Sequence, residues 1–330
     1  MKIAIVGATG LVGQKILDVI NEQNLSFEEL YLVASERSKG KNISFQQKQY
    51  NVITIEEAIE KDIDVAIFSA GSETSKMWAP LFADKGCYVI DNSSAWRNYD
   101  HIPLLVPGVN ENSLTISDKI IANPNCSTIQ LVLALEPLHK EYKIKRLVVS
   151  TYQSVTGSGM PGVEQLKKEQ KGEKSNAAYP HQIHENCIPH GGNFCDDAYT
   201  TEEIKLIAET RKILEDKTLS ITSTVVRVPV LGGHSESVNV EFEKEIDLYR
   251  IKELLEQKPE IIVQDNIAEN IYPTPIHAEG KDEVFVGRIR RDFSTENAIN
   301  MWVVADNLRI GATTNAVRIM QHLLQQKYVS

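Results

Sequence analysis

Residues 123–128 read Asn-Pro-Asn-Cys-Ser-Thr, and the apolar run Ile129, Leu131, Val132, Leu133 and Leu135 follows at once. The spacing puts Cys126 at the start of a buried helix. A helix start carries N–H groups without intrahelical partners and a partial positive charge, and both stabilise a thiolate. The thiolate is the reactive form of cysteine, so Cys126 is a candidate nucleophile. The competing reading is a small buried residue just past a helix cap, since cysteine is among the most buried side chains. A nucleophile needs a proton acceptor, an electrophile and groups that hold it.

Candidates for each lie further along. Ser150-Thr151-Tyr152-Gln153 closes a strand-like run, and Ser154-Val155-Thr156-Gly157-Ser158-Gly159 follows. The Gln153 carboxamide could orient an amide or carboxylate. Arg227 and His234 bracket Val228-Pro229-Val230-Leu231-Gly232-Gly233. The paired glycines allow a sharp turn that carries the imidazole back toward a cleft, and histidine is the side chain best able to trade protons near neutral pH. A lone histidine on a loop reads equally as a surface residue. Arg97, in Asn92-Ser93-Ser94-Ala95-Trp96-Arg97, follows a strand and could clamp a phosphate bidentately. Glu202 and Lys205, three apart on a predicted helix, share one face and could meet one ligand. Lys205 also precedes Glu209 by four positions, so a solvated helical ion pair is the plainer account.

These residues need a scaffold. The chain of 330 residues is long enough for two domains, and its 42% apolar and 24% charged content is that of a soluble globular protein. A net charge of −10 argues against a nucleic-acid partner, whose footprint is a basic excess. No apolar run approaches the ~20 residues that span a bilayer. The opening Met1–Gly7 run is too short for a secretory leader and leads directly into a strand, which predicts a cytoplasmic protein. The cysteines, Cys87, Cys126, Cys187 and Cys195, include no CxxC pair. Cys187 and Cys195 lie near His181, His184 and His190 in no familiar ligand spacing, so no metal is expected.

From Lys2 to Ala122, short apolar strands alternate with helices: strands at 2–6, 30–34, 65–69, 88–90, 104–106 and 120–122, and helices at 14–21, 56–60 and 75–83. That pattern predicts a parallel, doubly wound α/β sheet. Beyond Cys126 come a strand at 146–152, a flexible loop at 157–162, a helix from 163, a loop-rich 170–200 segment and a helix at 202–214. Strands at 221–230, 237–242, 284–290 and 299–305 follow. This half reads as α+β with a mixed, largely antiparallel sheet. The expected division is a Rossmann-type domain of residues 1–125, completed by a C-terminal helix of residues 309–330, and a catalytic and dimerisation domain of residues 126–308.

The first strand leads into Gly7-Ala8-Thr9-Gly10-Leu11-Val12-Gly13. Glycines here permit a tight turn and close backbone approach, and the following helix N-terminus suits a pyrophosphate. The second strand ends in Ala34-Ser35-Glu36-Arg37-Ser38. An NAD site places an acid there for the ribose 2′-hydroxyl. Glu36 could fill that place, but Arg37 with Ser35 and Ser38 suits a 2′-phosphate, which favours NADP over NAD.

Together the stretches 6–13, 91–97, 123–128, 150–153 and 227–230, with His234, Arg288-Ile289-Arg290 and residues 301–307 (Met-Trp-Val-Val-Ala-Asp-Asn), closely resemble the aspartate-semialdehyde dehydrogenase family over essentially the whole chain. The resemblance implies that Cys126 is the acyl-accepting nucleophile, His234 the acid–base catalyst and Gln153 a positioning group. It implies that Arg227 and Glu202 bind the amino-acid end of the substrate, that Arg97 and Lys205 bind phosphate, and that Asn125 joins the substrate site. Gly7, Thr9, Gly10, Leu11, Val12, Ser35, Arg37, Ser38, Thr156, Gly157 and Asn307 fall at the NADP(H) site. The implied reaction converts L-aspartyl 4-phosphate through a cysteine thioester to L-aspartate 4-semialdehyde and phosphate, in a homodimer or homotetramer. The nearest rival is N-acetyl-glutamyl-phosphate reductase, whose acetylated amine would not need Glu202. A non-catalytic nucleotide-binding paralogue would be marked by loss of Cys126 or His234, and both are present.

Overall fold

Ile3, Ala4, Ile5 and Val6 offer no polar face, and the strand they form lies in the middle of a sheet with both sides covered. In the computed structural model, which describes residues 1–176 and 178–329, the chain divides into two units. The first comprises Met1–Asn125 with Ala312–Ser330, and the second Cys126–Gly311.

The first unit runs β1 (Lys2–Val6), α1 (Leu11–Glu22), β2 (Glu29–Val33), β3 (Asn42–Phe45), β4 (Lys48–Ile53), α2 (Ile55–Ala58), β5 (Val65–Phe68), α3 (Ser72–Asp84), β6 (Tyr88–Asp91) and β7 (Ile120–Ala122). The strands lie in the order β3-β4-β2-β1-β5-β6-β7, parallel except for the β3–β4 hairpin. Ile3 and Ile5 pack with Ile16 and Ile20 of α1, whereas Ala4 and Val6 pack with Ala79 and Phe82 of α3. The chain leaves β1 toward β2 on one side and places β5 on the other, so the order reverses at β1. Ligands of such sheets bind at the strand C-termini beside that reversal.

The second unit runs α4 (Cys126–Tyr142), β8 (Ile144–Gln153), α5 (Gly159–Glu169), α6 (Thr201–Ile213), β9 (Ser220–Arg227), β10 (His234–Phe242), α7 (Leu248–Glu256), β11 (Ile261–Val263), α8 (Pro275–Ala278), β12 (Val284–Arg291) and β13 (Ala298–Ala305). Its sheet has the order β11-β12-β13-β10-β8-β9, with parallel outer pairs and three antiparallel pairings between them. Helix α4 packs across β12, β13, β10 and β8, flanked by α6 and α7. After Ala305 the chain returns to the first unit as α9 (Thr314–Gln325), whose Val317, Met320 and Leu323 join the core around α1.

Several sequence expectations change. Residues 104–106 are not a strand; Leu104 makes only an isolated bridge to Ala122. The glycine-rich 157–162 stretch is not a loop, because Val155–Ser158 is a 3-10 turn and α5 opens at Gly159. Pro161 fits that first helical turn because its missing N–H would have had no intrahelical partner. Strand β9 stops at Arg227, two residues before Pro229, rather than running to 230. Helix α1 starts at Leu11, not Gln14. The elements α7, β11 and α8 had no clear signal.

Candidate active site

Strands β8 and β9 run in parallel, and β10 and β13 alternate in direction beside them. Gln153 pairs in register with Arg227, Ser235 with Tyr152, and His234 with Ala305. One edge of the sheet therefore gathers the ends of β8, β9 and β13 and the start of β10. Gln153, Arg227, His234 and Asn307, scattered over more than 150 positions of sequence, meet there. His234 is the first residue of β10 and fully buried; it is not on a surface loop. Gly233, with φ +76°, makes the turn into the strand.

Ser154 links the group. Its backbone N–H donates to His234 Nδ1 at 3.1 Å, and its Oγ lies 3.2 Å from the same nitrogen. The Ser154 hydroxyl also donates to Asn307 Oδ1 at 2.9 Å, as Thr156 Oγ1 does at 3.2 Å. Arg227 Nη1 donates to the Ser154 carbonyl at 3.1 Å. Gly157 closes the cluster: a Cβ there would stand 2.6 Å from Arg227 Nη1 and 3.1 Å from His234 Nε2. Burial, then the Arg227 guanidinium, holds the His234 imidazole well below its usual pKa. The ring is neutral at physiological pH, and its buried Nε2 has no hydrogen-bond partner among the described residues.

Cys126 opens the 17-residue α4, half-buried. Its neighbour Ser127 accepts a hydrogen bond from Gln153 Nε2 at 2.8 Å, which joins the helix start to the end of β8. Gly311 abuts the cysteine, and a Cβ on it would stand 2.9 Å from Cys126 Cβ. Cys87, by contrast, lies within the first unit's core, where burial pushes its thiol far up and out of reactivity. One turn past Cys126, Gln130 reaches the His234 carbonyl. It also faces Glu236, a fully buried carboxyl two residues beyond His234 on the same face of β10. Burial raises Glu236 well above the carboxylate range, with Gln130 opposing the shift.

Glu202 and Lys205 share a face of α6, 3.4 Å apart. Lys205 thus pairs with Glu202 rather than Glu209, which is buried. Arg97 and Asn125 belong to the first unit, both buried, and Arg97 Nη2 donates to the Asn92 carbonyl at 2.8 Å. Asn123 braces this region by donating to Asn92 Oδ1 at 2.6 Å and accepting from Asn315 at 2.6 Å.

The glycines after β1 divide their work. A Cβ on Gly7 would stand 2.4 Å from the Ser69 carbonyl, and one on Gly13 2.2 Å from the Gly7 carbonyl, so both are packing requirements. Gly10 is exposed and caps α1, which has neither a side-chain cap nor an acid in its first turn. Its leading N–H groups, beside Thr9, Leu11 and Val12, fit a pyrophosphate. Past β2, Ser38 is buried while Ser35 and Arg37 are exposed. Lys39 is held by Glu57 at 2.6 Å, whereas Arg37 makes no ion pair among the described residues.

Ser127, Ser154, Gly311 and Glu236 were not singled out from the sequence. Only Glu236 left a signal there: His234, Glu236, Val238, Val240 and Phe242 alternate, which marks the carboxyl as inward-facing. Among the described residues, no group of three or more His, Cys, Asp or Glu is placed to hold a metal ion, and no helix is long and apolar enough to cross a membrane.

Residues 2–117 match a family described as "Semialdehyde dehydrogenase, NAD binding domain", and residues 135–310 one described as "Semialdehyde dehydrogenase, dimerisation domain". An aspartate-semialdehyde dehydrogenase of Aquifex aeolicus is 51% identical, with 98% of each chain covered. One of Bacillus subtilis is 41% identical, over 98% of this chain and 97% of its own. The crystal structure of aspartate semialdehyde dehydrogenase II complexed with ASA, from Vibrio cholerae, superposes with a TM-score of 0.92 at 44% identity, with 98% of each chain covered.

Proposed function

The chain belongs to the aspartate-semialdehyde dehydrogenase family, and from that premise we propose how its own residues run the reaction. The activity is reductive dephosphorylation of L-aspartyl 4-phosphate to L-aspartate 4-semialdehyde, a step in making lysine, threonine, methionine, isoleucine and diaminopimelate. The observation that carries the residue assignment is the meeting of Gln153, Arg227 and His234 at one sheet edge, tied to the start of α4 by the 2.8 Å Gln153–Ser127 bond.

Cys126, favoured as a thiolate by the N-terminus of α4, attacks the acyl carbon. A C–S bond forms, the C–O bond to phosphate breaks, and phosphate departs as a better leaving group than the thiolate. The covalent thioester splits one hard step into two easier ones. The Gly10 turn and Arg37 with Ser35 and Ser38, together with Thr156, Gly157 and Asn307, would hold NADPH, which when bound would supply the hydride that reduces the thioester. Gln153, fixed by Ser127, orients the reacting carbonyl. His234 Nε2 takes the thiol proton and later delivers it to oxygen. Arg227 grips the substrate α-carboxylate and Glu202 its ammonium, while Arg97 and Lys205 bind the phosphate and Asn125 contributes to the substrate site. These local cations let a protein of net charge −10 bind an anionic substrate.

Membership of a family with a dimerisation domain makes the protein an oligomer. The pairing proposed is a homodimer through the sheet face opposite α4, where Tyr152 and Trp302 pack 5.3 Å apart beside exposed Arg288 and Arg290. The cytoplasm is its proposed location. The test is phosphate-dependent reduction of NADP with L-aspartate 4-semialdehyde. Turnover is expected with that aldehyde and not with N-acetyl-glutamate 5-semialdehyde; the reverse preference overturns the substrate assignment. Cys126→Ala should abolish turnover and leave NADP binding intact.

A further inference from the structure

After β13 the chain makes one wide turn, and that turn reaches the site at two places. Asn307 Oδ1 meets the Ser154 and Thr156 hydroxyls at 2.9 and 3.2 Å. Four residues on, Gly311 abuts Cys126: a Cβ there would stand 2.9 Å from the cysteine Cβ and 3.3 Å from its Cα. The turn is of the π type over Arg309–Thr313, and the Gly311 N–H reaches back to the Asp306 carbonyl at 3.2 Å. Single π-turns are rare and occur mostly at functional sites. One such turn has few ladder bonds, so other groups must fix its shape. They come from the residues after α8. Gly280 N–H donates to Asp306 Oδ2 at 2.8 Å, while Asp306 Oδ1 accepts from the Leu308 N–H at 2.8 Å. Two residues beyond Gly280, the Asp282 carboxylate takes the Arg309 guanidinium through two bonds, Nε to Oδ1 at 2.8 Å and Nη2 to Oδ2 at 3.0 Å. The platform beneath is fixed, because Ala278 of α8 packs with Phe285 of β12 and Val304 of β13 in a buried apolar cluster.

We infer that the Asp282–Arg309 ion pair positions the thiol and the cofactor-side cluster together: it locks the 306–311 turn, which sets Gly311 against Cys126 and Asn307 against Ser154 and Thr156. The Arg309 side chain is only 8% exposed, so water screens this pair less than it does a surface pair. Two parallel bonds from one planar group fix direction as well as distance. A lysine ammonium is a point charge and cannot make that fork. Arg309 lies between Asn307 and Gly311 in the chain, so a shift of its backbone moves both contacts. Arg309 and Asp282 are positioning residues, acting through Gly311 and Asn307. The inference rests on the assignment of Cys126 as nucleophile and of Asn307 to the cofactor site.

Arg309→Lys keeps the charge and loses the fork; Asp282→Asn keeps the guanidinium and weakens the fork. Lys143→Met is the control. It breaks another ion pair with a buried carboxylate, 2.5 Å from Asp216 and at the far end of α4 from Cys126, and should lower the unfolding temperature with turnover unchanged. In Arg309→Lys without cofactor, alkylation of Cys126 by iodoacetamide, followed by the mass of its peptide, should slow about threefold, the scale of a charge moved away from a helix N-terminus. The dissociation constant for NADP should rise about fivefold, the worth of one hydrogen bond. Turnover should fall about tenfold through misplacement of the thiol, with KM for L-aspartate 4-semialdehyde unchanged, since Arg227 and Glu202 lie off the turn. Asp282→Asn should move the same quantities in the same direction. Parental alkylation and NADP binding in both variants overturn the inference. Equal losses in Lys143→Met also overturn it, by reducing the pair to general stability. Turnover retained by Cys126→Ala is a separate result, and it overturns the assignment of the nucleophile instead.

Discussion

Glu236→Gln should make the stability of the second unit respond differently to pH, by an amount that the burial of Glu236 fixes. The carboxyl is fully inaccessible, and burial lifts it well above its ordinary value of 4.5. The native state therefore keeps a proton that the unfolded chain has lost above about pH 5. Where the unfolded state binds fewer protons, stability falls with rising pH, here by about 1.4 kcal/mol per unit until the native pKa is reached. Glutamine has no such proton to keep. The stability of Glu236→Gln minus that of the parent should therefore climb with pH above about pH 5, by at most about 1.4 kcal/mol per unit. Taking the difference matters because His234 acts oppositely: its pKa is depressed in the native state, so it adds stability as pH rises toward 6.5. In the parent the two slopes oppose each other, and in the variant the histidine's rise stands alone. Urea unfolding at fixed protein concentration, repeated across this range, gives the curve. A difference that stays flat with pH would refute the buried, protonated carboxyl. Glutamine preserves a polar partner for Gln130, so turnover should stay within about threefold of the parent; loss of a buried hydrogen bond would cost more than that.

Gly157→Ala places a Cβ 2.6 Å from Arg227 Nη1 and 3.1 Å from His234 Nε2; overpacking of this kind costs about 1–3 kcal/mol. Steady-state kinetics should show turnover reduced by about 10²-fold, and parental turnover would mean the site is looser than described. Gly311→Ala crowds Cys126 Cβ at 2.9 Å, so alkylation of Cys126 by iodoacetamide and turnover should slow together; unchanged alkylation would remove Gly311 from the site. Arg37→Ala should raise KM for NADP by about 10–100-fold, the value of charge-assisted hydrogen bonds, and leave KM for NAD unaltered. Equal effects on both cofactors would show that Arg37 does not read the 2′-phosphate.

The gap between what sequence shows and what the site needs has a physical origin. Patterns of period two and of strand–turn–helix alternation are local, so β1, the glycine turn, α4 and its leading Cys126 stand out in the chain. So do the strands that carry Gln153 and Arg227. The helix α7 hides because charged residues interrupt a narrow apolar face of Ile251 and Leu255, and β11 because it is only three residues long. His234 looked like a loop residue because two glycines precede it, and sequence does not tell a turn that leaves a strand from a turn that enters one. Ser154 is harder still. A serine after a strand is common, and its meaning comes from one nitrogen on β10 and one amide oxygen past β13, 80 and 153 residues away. The sheet order β13-β10-β8-β9 brings these together, and hydrogen-bond pairing across strands, not any feature of residues 150–160, determines that order. Groups that do chemistry can therefore be named from their types, whereas groups that orient them become visible only with the register. The catalytic candidates Cys126, Gln153 and His234 and the substrate-binding candidate Arg227 were of the first kind. Ser127, Ser154 and Gly311 are of the second, and they decide how the thiol and the imidazole are held.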